Sequence, residues 1–85
     1  MNKNPDKLKT KKINGVSFSI ARTLLFYDII AEGNTDELNS IKTKYETDSF
    51  IIKSSVFGSD LLVLDTFDKL EDAEEIYEKL DEILK

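Results

Sequence analysis

The 85-residue sequence contains no cysteine, no histidine and no tryptophan. Without cysteine there is no disulfide, no thiol nucleophile and no thiolate metal site. Without histidine the side chain that most often acts as a general base or metal ligand is also missing. The three glycines, Gly15, Gly33 and Gly58, are scattered and form no phosphate-binding loop. We therefore expect a protein that is not an enzyme and that uses no cofactor and no metal.

Long apolar segments are also scarce. The longest apolar run falls far short of the roughly 20 residues that a membrane-spanning helix needs. The lysine-rich N-terminus is not followed directly by the apolar segment of a secretory leader. We expect no membrane association and a cytoplasmic location, which the lack of cysteine permits. A chain of this length predicts one small domain that buries only about 60% of its unfolded surface, so it is modestly stable or associates.

Charge is arranged in blocks along the chain. Residues 1–12 hold five lysines and one aspartate, a net charge of +4, whereas residues 13–85 carry a net charge of −9. This predicts a basic N-terminal tail over 1–12, either flexible or a short edge element, and a single acidic domain over 13–85. The simpler interpretation is that the tail only balances the charge of the acidic body. Because an acidic domain repels phosphate backbones, we expect no direct nucleic-acid binding by the folded part.

The first part of the domain predicts two strands. Apolar residues alternate with serines from Val16 to Ile20, the period of a strand with one buried face. Asn14-Gly15, just before it, is a turn signal. The apolar run 24–30 fits either a strand or a buried helix, and its aromatic and β-branched content favours a strand.

The second part predicts a helix, two strands and a final helix. A short amphipathic helix is expected over about 35–46, followed by strands over 49–57 and 60–67 that join at Gly58-Ser59. Asp68 followed by Glu71 fits a capping box, and a long amphipathic helix follows. The order β-β-α-β-β-α predicts an α+β fold, with a small antiparallel or mixed sheet and two helices packed on one face.

One segment resembles a known family. Residues 61–68, LLVLDTFD, followed by 70–74, LEDAE, resemble the junction of the third strand and second helix in ferredoxin-like modules, including the RNA-recognition type. The resemblance implies the same sheet-and-helix architecture. It does not extend to RNA binding, because the strand lacks outward aromatic and basic residues on which bases would stack.

Residues 50–52 and 61–64 are apolar at every position. A sheet with one solvated face normally alternates apolar and polar residues. We therefore expect the second sheet face to be buried, either by self-association into a homodimer or by the N-terminal segment folding over it.

The final helix carries the candidate partner-binding surface. Six acidic residues are expected on its outer side: Glu71, Asp72, Glu74, Glu75, Glu78 and Glu82. They suggest a small acidic protein-binding factor, an inhibitor or regulator that docks on a basic partner such as a nuclease or another nucleic-acid-handling protein. Immunity proteins, antitoxins and phage anti-defence proteins are analogous in size and charge. The simpler interpretation is a solvated helix face.

Two alternatives remain open. The chain could be a small-ligand-binding or scaffolding module that acts as a homodimer, with Ser54, Ser55 and Arg22 as the plausible polar contacts for an undefined ligand. Asp28 and Asp65, with the capping Asp68, could in principle hold Mg²⁺, a cation that prefers oxygen ligands. Roles at a strand end and at a helix cap explain Asp65 and Asp68 better.

Overall fold

The computed structural model describes residues 6–53 and 59–84, over which the chain forms five strands and two helices. In chain order these are β1 (Asp6–Ile13), β2 (Val16–Arg22), β3 (Tyr27–Gly33), α1 (Thr35–Tyr45), β4 (Ile51–Ile52), β5 (Asp60–Phe67) and α2 (Leu70–Ile83). The sheet order is β1-β2-β3-β5-β4, and every neighbouring pair is antiparallel. The predicted α+β fold with an antiparallel sheet is confirmed, with one strand more than predicted.

The additional strand is β1, in the lysine-rich segment. Asn14 and Gly15 both have positive φ, 52° and 86°, which allows a tight two-residue turn that pairs Ile13 with Val16. β1 then pairs with β2 along its whole length, with a register shift between Lys7 and Lys9. Residues 6–13 therefore form an edge strand, and residues 1–5 of the predicted tail lie outside the described residues.

The apolar run 24–30 divides between a turn and a strand. Residues 27–30 belong to β3, so the preference for strand over helix is confirmed there. It is wrong for Leu24, Leu25 and Phe26, which lie in the turn between β2 and β3 and are exposed. The register, which pairs Arg22 with Tyr27, leaves the four residues between them to reverse the chain.

Local hydrogen bonds fix the start of α1. The Asn34 side chain accepts from the Glu37 N–H at 2.8 Å, and the Glu37 side chain accepts from the Asn34 N–H at 3.3 Å, which completes a capping box. For α2 the predicted cap is wrong. The N-cap residue is Lys69, which makes no side-chain cap hydrogen bond, and Asp68 lies one residue before it.

The predicted strand over 49–57 is tested only over residues 49–53. Among these, Ile51 and Ile52 pair with β5, whereas Ser49, Phe50 and Lys53 are not in the strand, and residues 54–58 lie outside the described residues. Ser49 is held out of the ladder by a local turn, because its N–H donates to the Thr47 hydroxyl at 3.2 Å. Gly58, the first residue of the predicted hairpin link, also lies outside the described part.

β5 lies between β3 and β4, so β3, α1 and β4 form a split β-α-β unit with α2 following β5. The step from β5 to α2 fits the strand-to-helix junction that the ferredoxin-like resemblance implies. The final strand of that family has no counterpart after α2 within the described residues, and β2, which comes earlier in the chain, lies on the other side of β3.

Both helices cover one face of the sheet. The largest fully buried side chains on this side come from both layers: Phe18, Ile20, Ile29 and Leu62 from strands, with Leu38 from α1 and Leu80 from α2. The predicted placement of the helices on one face is confirmed. Within the described residues, neither helix is long and apolar enough to cross a bilayer.

The face away from the helices is partly buried by the sheet itself. Ser19 and Ile30 are register partners and are 0% and 4% exposed. The Ser19 and Thr10 hydroxyl oxygens lie 3.1 Å apart, so the buried hydroxyl has a hydrogen-bond partner. Nearer the β4 edge, Ile52 remains 55% exposed. A single chain thus covers only part of this face, and the homodimer stays a prediction.

Candidate functional site

The inner side of α2 packs on the sheet through a stripe of buried residues. Ala73, Tyr77 and Leu80 are buried at helical spacing. Lys11 of β1 stabilises the packing of α2 on the sheet. Its Nζ donates to the Tyr77 carbonyl oxygen at 2.9 Å and lies 4.6 Å from the centroid of the Tyr77 ring. The acidic residues of α2 therefore lie on its flanks and its outer side.

One flank of α2 is neutralised by lysines of β1. Lys9 Nζ lies 3.1 Å from Glu74 Oε2 and 3.6 Å from Glu78 Oε2, and Lys11 Nζ lies 3.7 Å from Asp81 Oδ2. The hydrogen bond to Glu74 is the largest influence that raises the pKa of Lys9. Two of the six predicted partner-binding residues, Glu74 and Glu78, are thus engaged within the chain.

The other four predicted residues remain on the solvent side. Glu71, Asp72, Glu75 and Glu82 are exposed. Glu75 pairs with Lys79 one helical turn away at 3.5 Å, an exposed i, i+4 contact that contributes little. Glu71, Asp72 and Glu82 form no ion pair within residues 6–53 and 59–84. We call Glu71, Asp72, Glu75 and Glu82 the acidic face of α2.

The turn between β2 and β3 carries exposed apolar side chains at its tip. Leu24 is 96% exposed, Leu25 72% and Phe26 45%. We call these three residues the apolar tip. Thr23 closes the turn, because its N–H donates to the Phe26 carbonyl at 2.9 Å and its hydroxyl accepts from the Phe26 N–H at 3.2 Å.

Tyr27 and Phe67 are register partners, so the apolar tip and the start of α2 leave the same end of the sheet. Sequence reasoning missed the tip because it assigned the whole run 24–30 to a strand. The only available signal was the length of that run together with the preceding Arg22-Thr23, which interrupts the apolar pattern.

The outer edge of β5 carries a second exposed apolar region. Phe50 is 85% exposed and lies 5.9 Å from Lys42 Nζ, measured to the ring centroid. An open groove of about 590 Å³ separates residues 47–50 from residues 63–66. The ladder between β3 and β5 shifts register at Leu64, a buried β5 residue that lies between the pairs Ile29–Asp65 and Ile30–Val63. Such a bulge twists an edge and disfavours the addition of another strand.

A smaller pocket lies at the opposite end of β2 from Arg22. It has a volume of about 160 Å³ and is lined mainly by apolar residues beside α1 and the end of α2: Ile13, Val16, Phe18, Ile41 and Leu84, with Asn14, Glu37, Ser40 and Lys44. Pockets for drug-sized ligands measure roughly 300–1,000 Å³. The structure does not bring Arg22 to this pocket, and Ser54 and Ser55 lie outside the described residues.

The carboxylates considered for Mg²⁺ are engaged separately. Asp28 Oδ1 accepts from the Thr66 hydroxyl at 2.8 Å, and Asp65 Oδ2 accepts from the Tyr45 hydroxyl at 2.9 Å. In the part of the chain that the structure describes, no three acidic side chains converge as a group that could hold a metal.

The titration of Tyr45 provides a test of its hydrogen bond to Asp65. Burial, followed by the hydrogen bond to Asp65 and the charge of Asp65, raises the pKa of Tyr45 well above its ordinary value near 10. A raised pKa means that the folded state holds the proton more tightly. The contribution of protonated Tyr45 to the free energy of unfolding is therefore complete below pH 10. It is lost as the pH rises through the raised pKa.

We expect Tyr45→Phe to lower the free energy of unfolding at pH 7 by about 1 kcal/mol, the value of one hydrogen bond. Above pH 10 the variant should lose stability less steeply than the wild type, because it has no proton to release at this site. Urea unfolding at pH 7 to 11 measures both effects. Parallel curves for the two proteins across that range would contradict the assignment.

Comparison of the chain with protein-family models, with curated proteins and with solved structures returned no match.

Proposed function

We propose that this protein is a non-enzymatic protein-binding factor that docks the acidic face of α2 on a basic partner. The observation that supports the proposal is the division of charge on α2. Glu74 and Glu78 are matched by Lys9, whereas Glu71, Asp72 and Glu82 form no ion pair within the described residues. Unmatched charge on one rigid helix is available to a complementary surface.

Such a face acts mainly on the rate at which the two proteins associate. Complementary charge steers two proteins together and fixes their orientation, and this effect weakens as salt screens the charges. Exposed acids lose little hydration when they bind at the rim of an interface, so they contribute to the association rate more than to the lifetime of the complex.

A basic surface is typical of proteins that bind phosphate groups. Lysine and arginine residues that contact a phosphate backbone give nucleases and related proteins a positive face. We therefore propose a nuclease or another nucleic-acid-handling protein as the partner, with this chain as an inhibitor or regulator in the style of an immunity, antitoxin or anti-defence protein. The cytoplasm is the proposed location.

Charge reversal tests the acidic face. We expect Glu71→Lys with Glu75→Lys to lower capture of the partner from the native host by tenfold or more at low salt, because both changes replace attraction by repulsion. Pull-down with the intact protein as bait, followed by association rates with the identified partner, measures the loss. Both residues are exposed, so thermal unfolding should stay within a few degrees of the wild type.

The matched control reverses two exposed acids beside the C-terminal end of α1, Glu46→Lys with Asp48→Lys. This variant has the same net charge as the first, so a non-specific charge effect would weaken both equally. Undiminished capture by the α2 variant, or equal loss in both, would remove the acidic face from consideration.

A scaffolding homodimer is the second candidate. Ile52 and Phe50 expose apolar surface at the β4 edge, beside the half-buried Leu61 and Val63. Burial of this edge against a second copy would complete the partly covered face of the sheet. Light scattering on the purified chain separates the candidates, since a clean monomer at micromolar concentration counts against the homodimer.

A further inference from the structure

We propose that the apolar tip is an anchor that inserts into an apolar pocket on the partner protein, and that basic residues frame this pocket. The proposal rests on the proposed function and adds a second contact to it. Leu24 and Leu25 are the first and third most exposed of the large hydrophobic residues in the described part of the chain.

The fold itself does not require leucine at these positions. The turn is closed by the backbone and the hydroxyl of Thr23 with the backbone of Phe26, and neither leucine side chain takes part. Polar residues, glycine and proline dominate such turns, because they satisfy the backbone and face water at no cost. Leu24 is outside the hydrophobic core and contributes nothing to its packing.

The backbone of the tip is closed before binding. Three hydrogen bonds join Thr23 to the backbone of Phe26, at 2.9, 3.1 and 3.2 Å, and none of them needs a partner protein. A pre-organised backbone lowers the conformational entropy that is lost when the side chains it carries are buried. Interfaces often concentrate their affinity in a few such side chains that fill pockets on the other protein.

The charges around the tip indicate the chemistry of its acceptor. The register between β3 and β5 places residues 22–28 and 66–72 at one end of the molecule. Two cations and four acids lie in these segments: Arg22 and Lys69, with Asp28, Asp68, Glu71 and Asp72. The net charge of −2 favours a pocket with a basic rim and opposes an anionic lipid surface.

A second copy of this chain is a poorer acceptor. Its small pocket of about 160 Å³ has room for only about one leucine side chain. Its open groove of about 590 Å³ is lined by Asp48 and Asp65 and, within the described part of the chain, by no basic residue, so it opposes the net negative charge around the tip. One buried leucine does not offset the loss of translational and rotational freedom on association. A partner that contacts both the tip and the acidic face of α2 provides a larger interface.

Photo-crosslinking tests the anchor in the full chain. The probe is p-benzoylphenylalanine in place of Leu24, and the matched control carries it in place of Asn39, an exposed residue of α1. In cells of the native host we expect a crosslink from position 24 and none from position 39. The crosslinked segment of the partner should contain apolar residues beside lysine or arginine. No crosslink from position 24, or one that maps to an acidic or wholly polar segment, overturns the proposal.

The affinity for the crosslinked partner measures how much the apolar tip contributes to binding. Leu24→Asn with Leu25→Asn should weaken binding by roughly 10- to 100-fold for each leucine that becomes buried. The melting temperature should stay unchanged, because both side chains are exposed. Unaltered affinity overturns the anchor. Sedimentation of the wild type, but not of this variant, with phosphatidylcholine vesicles also overturns it, in favour of a lipid surface.

The two proposals fail in different ways. If only the Glu71→Lys, Glu75→Lys variant loses binding, the acidic face stands and the anchor is wrong. If only the Leu24→Asn, Leu25→Asn variant loses binding, the anchor stands and the acidic face is wrong.

Discussion

Replacement of Phe18 by alanine is expected to lower the free energy of unfolding by about 3–5 kcal/mol. Phe18 is 0% exposed and lies in the middle of β2, under both helices, in the same buried cluster as Leu38 and Leu80. Truncation removes the transfer energy of the ring and leaves a cavity that the surrounding residues fill only in part.

The effect should be large relative to the total stability. A domain of this size has a free energy of unfolding of roughly 4–13 kcal/mol, so the variant loses a major part of it. Phe18 also lines the pocket of about 160 Å³, and the new cavity would join that pocket. Urea unfolding, followed by far-ultraviolet circular dichroism, measures the change.

Phe18→Leu is the matched control, because it keeps most of the buried volume and should cost less than half as much. A loss below about 1 kcal/mol in Phe18→Ala would mean that β2 does not lie under the helices as described.

Deletion of residues 1–12 is expected to destabilise the domain by about 3 kcal/mol or more and to cause aggregation. β1 pairs with β2 from Arg22 to Val16, and each ladder hydrogen bond contributes about 0.5–1.5 kcal/mol. The deletion also removes Lys9 and Lys11, which bind the flank of α2. It leaves β2 as an unpaired edge next to a core strand.

An exposed edge strand is a template for pairing with another chain. In the intact protein the edge strand carries four lysines, Lys7, Lys9, Lys11 and Lys12, and a register shift, and both features discourage such pairing. Thermal unfolding and static light scattering measure the two consequences. Deletion of residues 1–5 is the control that keeps all of β1. If the longer deletion behaves like this control, β1 contributes nothing to stability.

The acidic surface was predictable only in part. Helical spacing alone places Glu71, Glu75 and Glu82 away from the buried stripe of Ala73, Tyr77 and Leu80, and the structure agrees. The spacing could not show that Glu74 and Glu78 meet Lys9, because 65 and 69 residues separate the partners in the chain. That pairing exists only because β1 is an edge strand beside α2.

Local patterns in the sequence determined the helices and most of the strands, since each depends on residues a few positions apart. Composition alone excluded cysteine and histidine chemistry. The tertiary structure decided what depends on distant partners. It turned the lysine-rich segment into β1, because β2 has an open edge there, and it left Ser49 and Phe50 outside β4. It also left Leu24 and Leu25 in water, because the register of Arg22 with Tyr27 forces the chain to turn where composition alone favours a strand.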